Sequence, residues 1–530
     1  MKKLKLVSLA IAMASATPSF AGGLLTNTNQ HVAFNRMMSR EASIGIDGVY
    51  YNPAGVVFMG EGHHLAINWQ LAYQTRSIEN DYALFTNNVN NPTTPREFKG
   101  KAFAPVIPSF QYAYNKGRWS LQAGFALTGG GGKCTFDNGL GSFEKIVAET
   151  AIAACQLAGA VDQVASQYGV PAVFSSDKYF GKEGEYSYNS YMHGRQYYYG
   201  LSVGAAYKFS DNFSAFAGVR GVYASTNYYG YVENIKVGNM PLYKVLDPNK
   251  ENAANIELSC DQSGIGFTPI IGVDFKTGKW NFSAKYEFKT RIRLKNKAVN
   301  QAPSISALPD NLSRQMVGTL TQVFTNKGMT PEKAQAVAAN TTQAVLTNGD
   351  VVKTMAGLKT QFDTELEEAI GEYEDGKKIA GDIPAYLALG VGYSPVNAVR
   401  VNVGFHWFDD KHATSYNNRQ EKLKRGTLEY NAGVEVDVNK KITLSTGWQN
   451  TNYGLSDEYM DDKSFVVSSN SVAVGGVYHI NKKMDLNVAY FHTFYQHKKT
   501  SENVELTGKT YSSDYTRNNN VFAVGLDINF

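Results

Sequence analysis

The sequence predicts an all-β protein: a closed antiparallel barrel of fourteen membrane-spanning strands, with an N-terminal plug in its lumen and helical insertions in its longest extracellular loops. Three observations carry this. Aromatic residues (33 Tyr, 28 Phe, 5 Trp) form 12% of the 530-residue chain and glycine adds 49, while charged residues reach only 18%, against roughly 25% in ordinary soluble domains. Segments alternating apolar and polar residues with a period of two recur along the chain. The links between them are alternately short and long, the rhythm of a barrel trimmed at one end and elaborated at the other.

Residues 1–21 combine a basic start (Lys2, Lys3, Lys5), an apolar stretch from Leu6 to Met13 and a small-residue exit at Ser19-Phe20-Ala21. Together these read as a secretory signal peptide, which directs the barrel to the bacterial outer membrane. Beyond it no apolar run approaches the roughly 18 residues of a transmembrane helix, so a helical membrane protein is excluded. The formal net charge is only +4, and three of those charges are the leader lysines. Nucleic acid is therefore not a partner. Three cysteines (Cys134, Cys155, Cys260) are too few for a disulfide scaffold and leave at least one thiol unpaired.

The sharpest alternation runs from Trp280 to Lys295, with Trp280, Phe282, Ala284, Tyr286, Phe288, Ile292 and Leu294 on one face. Its other face carries Lys285, Glu287, Lys289, Arg291, Arg293 and Lys295. A run of about 16 residues is long for a sandwich strand and suits a tilted strand crossing a bilayer. Comparable segments begin near His64, Ser109, Trp119, Tyr197, Phe213, Gln262, Trp280, Ile379, Val399, Thr427, Lys441, Ser471, Met484 and Asn520. Six links are tight, among them Asn115-Lys116-Gly117-Arg118 and Lys276-Thr277-Gly278-Lys279. The long ones fall at about 78–101, 130–196, 234–261, 296–378, 409–426, 454–470 and 497–519. The last segment ends on Phe530, which closes its apolar face. Leu140 to Tyr168 and Ser304 to Ala369 have helical composition and are expected over the barrel mouth, as a shielding cap or as an apolar landing site.

Residues 22–62 do not alternate, and they precede a barrel spanning 63–530. Because fourteen strands enclose more space than wall side chains fill, this segment is expected inside the lumen. Its Asn52-Pro53-Ala54 triplet reads as a rigid turn that anchors it. Near the loop end of the seventh strand, Arg291 and Arg293 are candidates to meet a carboxylate head group or a lipopolysaccharide phosphate, or else to pair with acidic loop residues. Nine histidines include none in a nucleophile or metal-ligand motif, so neither an enzyme nor a metal or cofactor is expected.

With Asn52-Pro53-Ala54 between leader and first strand, Ala104-Pro105-Val106-Ile107-Pro108 entering the second and Asp382-Ile383-Pro384 opening the eighth, the chain resembles the outer-membrane long-chain fatty-acid transporters (FadL) and their aromatic-hydrocarbon-importing relatives. The resemblance runs from about Gly22 to Phe530. It implies an N-terminal hatch, capture of a hydrophobic ligand at the extracellular loops, and sideways release where the third strand is kinked. Here that strand, read as Trp119 to Thr128, meets Gly129-Gly130-Gly131-Gly132, and four glycines hold a ladder poorly. At positions matching the family's loop-side ligand pocket stand Thr128 and, nearby, Lys411, whereas Tyr228-Tyr229-Gly230-Tyr231 brings no basic residue. The partners this implies are a hydrophobic small molecule, outer-membrane lipid and lipopolysaccharide, and the barrel is expected to act as a monomer. A hydrophilic porin is the nearest rival.

Overall fold

A computed structural model describes residues 24, 27–172, 174–175, 182, 184–303, 307–349, 351–353, 356, 371–504 and 507–530. The leader expected at 1–21 lies outside them. The wall begins with β1 (Gly62–Tyr82), β2 (Arg96–Lys116), β3 (Trp119–Phe136), β4 (Tyr186–Lys208), β5 (Phe213–Val237) and β6 (Ile256–Thr277). Next come β7, in two pieces (Trp280–Glu287 and Arg293–Gln301), and β8, also in two (Lys378–Ala380 and Tyr386–Val396). The rest are β9 (Val399–Phe408), β10 (Thr427–Asn439), β11 (Ile442–Asn452), β12 (Ser469–Asn481), β13 (Met484–Tyr495) and β14 (Lys509–Asn529). Each pairs antiparallel with the next, and β1 pairs with β14 from His64↔Asn529 to Tyr82↔Tyr511, closing a fourteen-stranded ring.

The two-residue period sets what each face meets. Ile67, Leu121, Leu201, Phe267, Leu444 and Phe522 point outward and are more than half exposed. Inward neighbours such as Asn68, Gln111, Gln122 and Glu435 are buried. An apolar outer band over a polar interior inverts a soluble protein and matches a wall set in lipid.

Several strands start earlier than alternation indicates: β2 at Arg96 rather than Ser109, β4 at Tyr186 rather than Tyr197, and β14 at Lys509 rather than Asn520. The loop-side parts of these extensions rise past the apolar band, where both faces meet polar surroundings and the alternation fades. β3 likewise does not stop at Thr128; it runs through the glycines to Phe136. The seventh strand is not one run from Trp280 to Lys295. It breaks between Glu287 and Arg293, and its parity flips there, so Ile292 and Leu294 are buried while Arg291 and Arg293 face outward.

Helices cluster at the loop end: α2 (Gly141–Ser166), α3 (Leu308–Asn326) and α4 (Pro331–Leu346) follow the short α1 (Val32–Met37) of the N-terminal segment. Met316, Leu320 and Phe324 of α3 pack with Ala334 and Ala338 of α4 and Val161 of α2. Cys134, Cys155 and Cys260 form no disulfide.

The segment before β1 lies within the ring, and inward-facing glycines make room for it. A Cβ built on Gly447 would sit 1.7 Å from the Met37 carbonyl oxygen, and one on Gly433 2.1 Å from it. Gly390 and Gly475 are filled in the same way by the Cβ atoms of Glu41 and Arg36, each 2.6 Å away. Gly447→Val is therefore expected to push α1 off β10 and β11 and raise single-channel conductance, while the barrel keeps its heat-modifiable electrophoretic shift. Conductance equal to that of the parent would show that the segment does not fill the lumen at this point.

Candidate functional site

Charge pairs hold the N-terminal segment to the wall. The Arg36 guanidinium contacts Glu435 on β10 and donates to Ser445 Oγ on β11 at 3.0 Å. Arg40 bridges Asp47 of its own segment (2.7 Å) and Glu435 (3.1 Å). Glu41 meets His406 Nε2 at 2.7 Å, and the other ring nitrogen of that histidine lies 2.8 Å from Glu429. All these side chains are buried, where a charge is tolerated only when paired and hydrogen-bonded.

The Asn52-Pro53-Ala54 turn is fastened to three strands. Asn52 Nδ2 donates to Asp274 on β6 at 2.5 Å. The Pro53 carbonyl accepts from Gln122 on β3 and the Ala54 carbonyl from Ser214 on β5, both at 2.7 Å. Asn52 Oδ1 also accepts from the Gly55 amide at 3.1 Å, which caps the next turn.

Above this segment lies a cavity of about 310 Å³. One wall of it is incomplete. β2 and β3 pair over Gly100–Ala102 and again from Phe110 to Lys116, but residues 103–109 of β2 and 126–133 of β3 have no partner across the seam. Two causes are visible in the chain. Pro105 and Pro108 bring no N–H to the β2 edge. On β3, register shifts at Leu127/Gly129 and Gly130/Gly132 bend the strand, and Gly130 takes a left-handed φ of +72°, which a residue with a Cβ adopts only under strain. Ala104 and Ile107 on one lip and Leu127, Gly130 and Gly132 on the other line the cavity. Trp69 and Tyr73 on β1 and Tyr199 and Leu201 on β4 are exposed outward on either side, so the gap lies within the apolar band.

Side chains replace the missing ladder bonds. Gln30 Nε2 donates to the Leu127 carbonyl and Asn27 Nδ2 to the Gly130 carbonyl, each at 2.8 Å. The Gln30 carbonyl accepts from Ser109 Oγ at 2.7 Å and Gln111 Nε2 at 3.0 Å. From outside, Trp69 Nε1 donates to the Pro105 carbonyl at 2.9 Å.

The break in β7 has a different outcome. Thr290 and Ile383 exchange both backbone hydrogen bonds at 3.0 Å, and Asp382 Oδ1 accepts from the Ile292 amide at 3.1 Å. That wall stays shut.

Thr128 lies in a separate pocket of about 30 Å³ with Arg220, Glu287 and Tyr386. There Arg220 and Glu287 form a buried pair at 2.5 Å. Lys411 sits on the exposed 3₁₀ turn Asp410–His412. Arg293 pairs with Asp382 at 2.9 Å, and Arg291 is exposed on the outer face. The structure therefore does not bring Thr128, Lys411, Arg291 and Arg293 into one cavity. Of the four glycines, Gly130 and Gly132 line the main cavity and Gly129 is buried in the strand. Sequence reasoning missed Asn27 and Gln30, as well as Arg76, Arg517 and Lys463, which also line that cavity. The prolines of β2 were the available signal for the seam.

A third, apolar pocket of about 110 Å³ opens in the loop-end cap, between Leu157 and Val161 of α2, Met240 and Leu242, and Leu312 of α3. Nearby loop carboxyls are pushed up by burial: Glu372 to about 8, and Asp462, which accepts from the Ser142 amide of α2, to about 6.

This architecture defines a class: an outer-membrane β-barrel with an internal N-terminal segment and an unpaired seam at membrane depth. No protein-family model and no curated protein matches the chain. Solved structures do. A Pseudomonas aeruginosa FadL homologue aligns at 14% identity with a TM-score of 0.56, covering 96% of this chain and 100% of its own. A deltaS2S3 mutant of the monoaromatic hydrocarbon channel TodX aligns at 14% identity with a TM-score of 0.50, over 97% and 100% of the two chains. The resemblance read from the sequence is thus present at the level of the fold.

Glu435→Ala would strip Arg36 of its acidic partner, and orphaning one member of a buried pair costs roughly 3–5 kcal/mol. Residues 27–60 of that variant should become open to limited proteolysis while the barrel itself stays resistant. Resistance unchanged across the whole chain would mean that this pair does not hold the segment.

Proposed function

We propose that the barrel is a passive channel for hydrophobic compounds, long-chain fatty acids being the class it suits. Ligand is captured in the apolar pocket between α2, the 240–246 turn and α3, passes into the cavity above the N-terminal segment, and leaves sideways between β2 and β3. The observation that carries this reading is the unpaired seam. Backbone left unpaired within the lipid band is costly and persists only where it lines a cavity or is otherwise satisfied. Energetics supply the reason for a sideways exit. Releasing an alkyl chain into water costs about 0.8 kcal/mol per CH₂, whereas passing it from lumen to bilayer costs little. The N-terminal segment acts as the hatch, with Asn52, Pro53 and Ala54 as its anchor. Outward-facing Arg291 and Arg293 suit phosphates of the surrounding lipid or lipopolysaccharide rather than cargo in the lumen. The channel works as a monomer, without catalysis. Import of aromatic hydrocarbons is the second reading; the same seam would serve it.

Geometry offers a direct test. A Cβ on Gly132 would lie 3.7 Å from Ala104 Cβ across the gap, within the roughly 3.5–4.5 Å of a disulfide. Ala104→Cys with Gly132→Cys, in a Cys134→Ser background, should form a cross-link that stitches the seam. Oxidised cells with normal surface expression should take up a labelled fatty acid at least tenfold more slowly, and reductant should restore the rate. Undiminished uptake through a fully cross-linked barrel would rule out exit at this seam.

A further inference from the structure

In the main cavity, two arginines have no carboxylate partner among the described residues. Arg76 on β1 and Arg517 on β14 are direct partners in the ladder that closes the barrel, and both side chains point inward to line the cavity. Like charges facing each other across a rung repel. Their acceptor is one neutral oxygen: Gln74 Oε1 takes the Arg76 Nε at 3.3 Å and the Arg517 Nη2 at 2.6 Å. The Arg517 guanidinium also lies 5.3 Å from the centre of the Tyr495 ring, and its Nε is buried with no acceptor. Lys463, from the loop between β11 and β12, lines the same cavity. Among the described residues no carboxylate forms an ion pair with Arg76, Arg517 or Lys463. Of the carboxylates nearby, Glu429 meets His406 and Thr451, Asp462 caps α2 through the Ser142 amide, and Asp461 accepts from the Lys463 backbone amide at 2.9 Å, so the aspartates lie beside Lys463 and not beside the arginines. Elsewhere in the lumen the chain neutralises its cations, as at Arg36, Arg40 and Arg220.

We propose that Arg76 and Arg517, assisted by Lys463, bind the oxyanion head of an amphiphile whose chain lies toward the β2–β3 seam. Two convergent guanidinium groups match a carboxylate or phosphate geometrically and electrostatically. The register fixes where the tail goes. Arg76 is opposite Gly100, and Tyr73 is opposite Phe103 at the loop-side edge of the gap, so the head sits roughly 10 Å above the gap at about 3.3 Å per residue. Below it the cavity wall turns apolar at Leu127, Ile107 and Ala104. A chain held by its head at the arginines therefore points down to the opening. This site is on β1, β14 and the 453–468 segment, away from Thr128 and Lys411. It rests on the reading of the barrel as a channel for hydrophobic compounds and narrows the cargo to those carrying an anion.

Binding of palmitate, hexadecyl phosphate and 1-hexadecanol to the purified full barrel separates the two claims. Palmitate or hexadecyl phosphate should bind at least tenfold more tightly than the alcohol, and the tighter of the two identifies the natural head as carboxylate or phosphate. In the Arg76→Gln, Arg517→Gln variant that preference should vanish while hexadecanol binding and heat-modifiability stay as in the parent. Lys463→Gln should reduce the preference by a smaller factor. If the parent binds acid, phosphate and alcohol alike, or the arginine variant keeps its preference, the anion site is wrong and the hydrophobic channel stands. Binding of none of the three would overturn both.

Discussion

Lipid offers no hydrogen bonds, so every backbone N–H and C=O in the apolar band must be satisfied by protein. The rest of this structure depends on that constraint. It explains a closed ring in which β1 meets β14, and it explains how two interruptions of the wall are handled. At the β7 break, Thr290 and Ile383 bond directly and Asp382 takes the Ile292 amide, so the wall is repaired by its own chain. At the β2–β3 seam the wall is not repaired. Asn27 and Gln30 supply side-chain amides where strand amides are missing. Such bonds come from a segment outside the ladder, so they can be withdrawn without unzipping a strand.

That places the N-terminal segment in a double role. It fills a lumen whose inward glycines leave space for its backbone, and its residues Asn27 and Gln30 satisfy the lips of the seam. Its attachments are strongest near Arg36, Arg40 and Glu41 and at the Asn52-Pro53-Ala54 turn. Residues 27–30 are held by neutral hydrogen bonds, from amides and from the Tyr50, Tyr51 and Ser109 hydroxyls, worth roughly 1 kcal/mol each. The end of the segment at the seam therefore has no charged pair of the kind that fixes Arg36, Arg40 and Glu41.

Much of this was legible beforehand. Apolar alternation and the rhythm of links located fourteen strands because lipid imposes a period of two on every one of them. Strand ends were misplaced at Arg96, Tyr186 and Lys509 because that pressure stops where the strands leave the lipid. The glycines after Thr128 marked the seam, but as residues within a bent strand rather than after its end. Pro105 and Pro108, each an N–H short, were the stronger signal, and they stood in plain view. Arg76 and Arg517 could not be read in this way. They come from opposite ends of the chain and meet only when the barrel closes, so nothing local announces the pair. Thr128 and Lys411, carried over from the family pattern, fall outside the main cavity: Thr128 lines the small pocket beside Arg220, and Lys411 sits on the 3₁₀ turn after β9.

The most direct measurement asks whether lipid reaches the lumen through the seam. Gly132 and Gln449 both line the main cavity, but only Gly132 stands at the gap. A small fluorophore on a cysteine at either position, with Cys134, Cys155 and Cys260 replaced by serine, would be read in nanodiscs containing brominated acyl chains. The open seam predicts strong quenching at position 132 and little at 449. Equal, weak quenching at both would mean that the wall is closed to the bilayer and that cargo leaves by another path.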